Sequence, residues 1–86
     1  MTPTPLAPSA RALRDHRYHV NVHGPRNERG GYPFVAEGRF ANIASAREWA
    51  DTVHPNAYLV AIDYLSARTG WRPTRAATRT EGTWDL

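Results

Sequence analysis

The chain of 86 residues has no cysteine and no lysine. Without cysteine there is no disulfide framework, no thiolate metal site and no thiol nucleophile. Without lysine, all eleven basic residues are arginine. Long apolar runs are missing too. The longest, 57–62, is far shorter than the roughly 20 residues a membrane-spanning helix needs. The first residues show no charged region followed by an apolar one, so no secretory signal is expected and the chain reads as cytoplasmic, with no membrane partner. Phosphate-cradling and dinucleotide-binding glycine patterns are absent. Ser9, Ser45 and Ser66 have no nucleophile-elbow context. These absences predict a protein that is not an enzyme, with no cofactor, no bound metal and no small-molecule substrate.

What is present centres on residues 32–64. Ala46, Trp49, Ala50 and Val53 recur at i, i+3, i+4 and i+7 as one apolar stripe. Ser45 followed by Glu48 has the spacing of a capping box. Pro55 pushes residue 54 out of helical geometry. Together these signals predict a short helix over 46–53. Upstream, Tyr32, Phe34, Ala36, Gly38 and Phe40 share one parity, while Val35, Glu37 and Arg39 share the other. This period of two predicts a strand with the first set buried. Downstream, 57–62 is almost continuously apolar, which predicts a strand better buried than its neighbours. Earlier still, Tyr18, Val20 and Val22 alternate with His19, Asn21 and His23, and the polar stretch from Gly24 to Gly31 reads as a hairpin connection.

The resulting expectation is a small α+β domain, ββαβ, over residues 18–65. Its three-stranded, mainly antiparallel sheet has order 2-1-3, because a right-handed crossover leaves room for the first strand between the other two. One short helix covers one face. Two flexible arms flank the domain: an extended segment over 1–17 with Pro3, Pro5 and Pro8, and an irregular arginine- and threonine-rich tail over 66–86. The predicted core comprises Tyr18, Val20, Val22, Phe34, Ala36, Phe40, Ile43, Trp49, Ala50, Val53, Val60 and Ile62.

Charge is unevenly distributed. Residues 1–17 hold Arg11, Arg14 and Arg17 against Asp15, and residues 66–86 hold Arg68, Arg72, Arg75 and Arg79 against Glu81 and Asp85, so each arm carries +2. Between them Arg26, Arg29, Arg39 and Arg47 face Glu28, Glu37, Glu48, Asp51 and Asp63, giving −1 and a total of +3. Basic arms on a neutral body suit phosphate contact.

The segment Gly31-Tyr32-Pro33-Phe34-Val35 resembles the signature of the RNA-recognition-motif family, in which aromatics on an open sheet face stack on bases. Pro33, Glu37 and Gly30 depart from that signature, and the helix and strand that should separate it from the first strand are absent. The parity of the strand also places Phe34 and Phe40 in the core, because turning them outward would put Glu37 and Arg39 under the helix. Core packing is therefore the reading taken for these aromatics.

His19 and His23 are four residues apart, which on a strand is about 13 Å. A zinc ion needs each nitrogen at about 2 Å, so these two cannot share one ion. A cross-strand pairing with Glu37 or Asp63 is the remaining geometry.

A domain of this size without disulfides or metal is marginal, so it is expected to be completed by the tails packing back on the core, by self-association or by docking to a protein partner. Trp71, Arg72 and Trp84 lie in the tail outside any apolar period and match interface hot-spot composition, which makes them the expected partner-binding residues, together with an exposed sheet edge. The alternative is nucleic-acid binding through the arms, with Arg11, Arg14, Arg17, Arg72, Arg75 and Arg79 on phosphates and Trp71 stacked on a base.

Overall fold

The computed structural model describes residues 17–66, 68 and 70–85. The elements run β1 (Tyr18–His23), β2 (Phe34–Phe40), α1 (Ile43–Val53), β3 (Leu59–Leu65), β4 (Pro73–Thr80) and β5 (Thr83–Asp85). The strands form one antiparallel sheet of order β2-β1-β3-β4-β5. The expected order of the first three strands is present, but the sheet has five strands rather than three. The expected irregular C-terminal tail is overturned: most of it is β4 and β5. Its apolar residues are too few to show a period, but the backbone groups of β4 complete the ladder of β3, which would otherwise be an edge. The expected N-terminal arm lies outside the described residues up to position 16.

The helix starts earlier than its apolar stripe suggests. Asn42 is extended and its Oδ1 accepts from the Ser45 N–H at 2.8 Å, so Asn42 rather than Ser45 is the N-cap. This start adds Ile43 to the stripe. His54 closes the helix, donating its N–H to the Ala50 carbonyl at 3.0 Å, and Pro55 follows. Ala46 and Ala50 are fully buried, and their small side chains let the helix lie close on the sheet. Trp49 flanks this contact, its ring 5.3 Å from that of Phe40. Val53, expected in the core, is 55% exposed. In this last turn the sheet is met instead by Ala50 and, through Arg79, by Asp51.

In an antiparallel pair directly opposed residues share a face. Val20 and Val22 of β1, Val60 and Ile62 of β3 and Ala77 of β4 form the buried layer under α1. Ala36, Phe40, Tyr18, Ile43 and Trp49 pack around it. Central β3 is the best-covered strand, as its continuous apolar run implies, with Val60, Ala61 and Ile62 all buried.

One core assignment fails for a specific reason. Val22 pairs with Ala36, but His23 pairs with Phe34, so Val35 is an extra residue in β2. This β-bulge reverses the parity of everything before it. Phe34 is consequently on the face opposite the helix, edge-on to His23 with ring centroids 6.1 Å apart, and is 60% exposed. A second bulge skips Ala76 between the Ile62–Ala77 and Asp63–Arg75 pairs.

Candidate interaction surface

The two faces of the sheet are chemically different. On the helix side, β4 contributes a residue that sequence reasoning assigned to phosphate. Arg79 is 1% exposed. Its Nη1 donates to Asp51 Oδ1 at 2.6 Å and its Nη2 donates to the His54 carbonyl. Its Nε has no hydrogen-bond partner among the described residues. The guanidinium also lies 5.7 Å from the ring centroid of Trp84, which it pairs with across β4 and β5. The arrangement is electrostatically consistent: a cation meets a carboxylate, the carbonyl at the negative end of a helix dipole, and the face of an indole. Arg79 thus fastens the end of α1 to the sheet and is closed off from any phosphate.

Trp84 belongs to the same cluster. Its Nε1 donates to Asp51 Oδ1 and Oδ2 at 3.1 and 3.3 Å, and Arg47 caps its other contacts with Cζ 5.0 Å from the ring centroid. Its ring is half-buried against the core. The expectation that Trp84 docks a partner is corrected to this extent: the indole is folded back and its donor is already used.

The remaining expected site residues are spread apart. Trp71 is half-buried in the turn before β4, with φ of 66°, and its N–H donates to the Ser66 carbonyl at 2.9 Å. Arg72 follows it, exposed. From there to Arg79 the chain runs along β4, roughly 20 Å at strand rise, so Trp71-Arg72 and Trp84 do not make one patch. Arg75 lies on the open face with its Nε donating to Asp63 Oδ1 at 2.7 Å and its Nη1 donating to Thr78 Oγ1 at 3.3 Å. Arg17 is exposed, and its carbonyl accepts from the Leu65 N–H at 3.0 Å. Arg11 and Arg14 lie outside the described residues.

The open face carries His19, Asn21 and His23 of β1 opposite Arg39, Glu37 and Phe34 of β2 on one side and Asp63, Ala61 and Leu59 of β3 on the other. Among the described residues no element covers it. His19 Nε2 and Glu37 Oε2 are 3.0 Å apart, so the cross-strand histidine–carboxylate geometry exists as a hydrogen-bond contact. Among the described residues no three His, Asp or Glu groups come together as a metal site. Opposite charges alternate on this face: Arg75 is paired with Asp63, and Glu37 and Arg39 stand two residues apart on β2.

At one end of the sheet, Pro25, Pro55, Asn56, Ala57, Tyr58, Glu81 and Gly82 line an open cleft of about 400 Å³. Tyr58 stacks on Tyr32 there, with centroids 5.5 Å apart and planes 10° from parallel. The Tyr58 phenol is held above its ordinary value of 10.0, first by the neighbouring Tyr32 phenol, then by partial burial and by Glu81.

The most exposed apolar strip is at β2. Tyr32, Phe34 and Val35 are 43%, 60% and 53% exposed. β2 is paired only with β1 among the described residues, so its outer backbone groups form an open edge. The expected order 2-1-3 already places this strand at an edge; what the smooth parity of 32–40 conceals is the bulge that turns Phe34 outward.

No protein-family model, no curated protein and no solved structure matches this chain.

Proposed function

We propose that this chain is a non-enzymatic protein-interaction module that docks through the edge strand β2 and the residues leading into it. The observation that carries the reading is the exposed strip Tyr32, Phe34 and Val35, at the start of a strand that among the described residues has one side unpaired. An open edge offers main-chain hydrogen bonds to an added strand, and an adjoining aromatic strip supplies apolar area and specificity. The cleft beside Tyr58 supports the same class, because among the described residues Tyr58 and Glu81 are the only ionisable groups in its lining and form no acid–base–nucleophile grouping. Trp71 and Arg72, at the far end of β4, are then a separate and smaller feature.

Nucleic-acid binding is the less favoured reading. Of the arginines assigned to phosphate, Arg79 is buried and Arg75 is paired with Asp63. Phe34 and His23 do face outward, as base stacking would need, but on the surrounding face Arg75 is paired with Asp63 and Arg39 stands beside Glu37, so the face is not positive.

The test is site-specific photocrosslinking in the cells that make the protein, with a benzophenone amino acid at Phe34 and, as a control, at Thr52 on α1. Discrete protein adducts from position 34 and not from position 52 are expected. Absence of protein adducts from position 34, or nucleic-acid adducts in their place, would refute the reading.

A further inference from the structure

We infer that the partner at β2 is a second copy of this chain, joined edge to edge in antiparallel register about a two-fold axis at Gly38. The inference rests on the reading of β2 as the docking edge and adds the identity of what docks there. Its basis is the charge pattern of the strand. Glu37 and Arg39 flank Gly38 and share the open face, while Ala36, Gly38 and Phe40 share the helix face.

A two-fold axis perpendicular to the sheet sets each residue at the centre against its own copy. Centred on Glu37, the pairing would set Glu37 against Glu37. Centred on Arg39, it would set two guanidinium groups together. Like charges directly opposed are destabilising. Centred on Gly38, Glu37 faces the partner's Arg39 and Arg39 faces the partner's Glu37. This register therefore forms two opposite-charge pairs and no like-charge pair. On the other face it sets Ala36 against the partner's Phe40, small against large.

The glycine suits the centre. A Cβ at Gly38 would come within 2.8 Å of the Phe40 ring and 3.4 Å of Trp49, so the bare backbone lets these rings lie over the strand. Two such strands would then meet with no side chain at the axis. The bulge at Val35 fits the same arrangement. It turns Phe34 to the open face beyond Glu37, where the diagonal neighbour is the partner's Arg39, and a guanidinium over an aromatic ring is attractive. The helices of both copies lie on the same side of the resulting ten-stranded sheet.

The experiment is sedimentation equilibrium of the full chain over about 10–500 µM, a range that brackets a weak edge-pairing affinity. The unaltered chain is expected to approach twice its monomer mass, less so in high salt. Glu37→Arg places two arginines on the edge and Arg39→Glu places two glutamates there. Each alone is expected to weaken association at least about tenfold. Mixed in equal amounts they restore complementary pairs, and the association is expected to return. The double exchange, Glu37→Arg with Arg39→Glu, is expected to associate by itself. Both side chains are exposed, and matching circular dichroism would confirm that the fold is kept. A monomeric unaltered chain, or a dimer indifferent to all these exchanges, would overturn the inference. An adduct from position 34 to a different protein, together with a monomeric chain, would sink the inference and leave β2 as the docking edge.

Discussion

Arg79 on β4 donates to Asp51 near the end of α1 at 2.6 Å, while Asp51 also accepts from Trp84 on β5. One carboxylate thus ties the helix to both C-terminal strands.

Replacing Arg79 by alanine is expected to remove this tie and leave a cavity, at a cost of about 2–4 kcal/mol that comes mainly from lost packing, because Asp51 is half-exposed and regains water when its partner goes. That is a large part of the whole stability of a small domain. Arg79→Met, which keeps the volume and removes the charge, is expected to be milder. Urea titrations followed by circular dichroism check both. Equal effects of the two substitutions would show that packing contributes nothing beyond the polar contacts.

Ending the chain after Leu65 is expected to unfold it. The truncation removes β4 and β5 and exposes the ladder side of β3, together with the layer that Ala77 and Trp84 help to cover. A far-ultraviolet spectrum of the shortened chain decides the matter. A retained native spectrum would mean that residues 18–65 form a self-sufficient unit.

The β4–β5 turn is the two-residue connection Glu81-Gly82, with φ of 50° and 86°. Both values lie in the left-handed region that a type I′ hairpin requires, where glycine and asparagine are at ease and glutamate is not. Glu81→Asn is expected to raise stability by up to about 1 kcal/mol, part of the roughly 1–2 kcal/mol that a left-handed residue costs. A thermal melt with unchanged or lower midpoint would contradict this account of the turn.

The raised Tyr58 has a consequence at high pH. Its folded-state value is above the unfolded one, so its contribution to stability is present below about pH 10 and is lost as pH rises through the folded value. Tyr58 ring resonances followed by NMR through an alkaline titration should show a midpoint above the ordinary value of 10.0. Tyr32→Phe removes the neighbouring phenol and should lower the Tyr58 value. No change on that substitution would assign the shift to burial and Glu81 alone.

Several of these features were readable from residue order. The alternation from Tyr18 to His23 marks β1 to the residue, because that strand is regular and has one apolar face. The capped apolar stripe marks α1, though two cap-forming residues, Asn42 and Ser45, compete for its start and only backbone geometry chooses between them. The tail was misread because β4 alternates threonine, arginine and alanine, a pattern with little apolar contrast. Its turn, Glu81-Gly82, departs from the asparagine- or aspartate-glycine pair that signals a hairpin.

The sequence by itself determined the local elements and the absences: a short amphipathic helix between strands, no thiol chemistry, and two arginine-bearing ends. Only the tertiary structure decided which side chains are available. A bulge at Val35 turns Phe34 outward, and strand pairing carries Arg79 from an apparently solvated tail into the helix–sheet junction. Both outcomes depend on register between segments far apart in the chain. Local periodicity carries no information on register, because shifting a strand by one residue reverses every side chain without changing its composition.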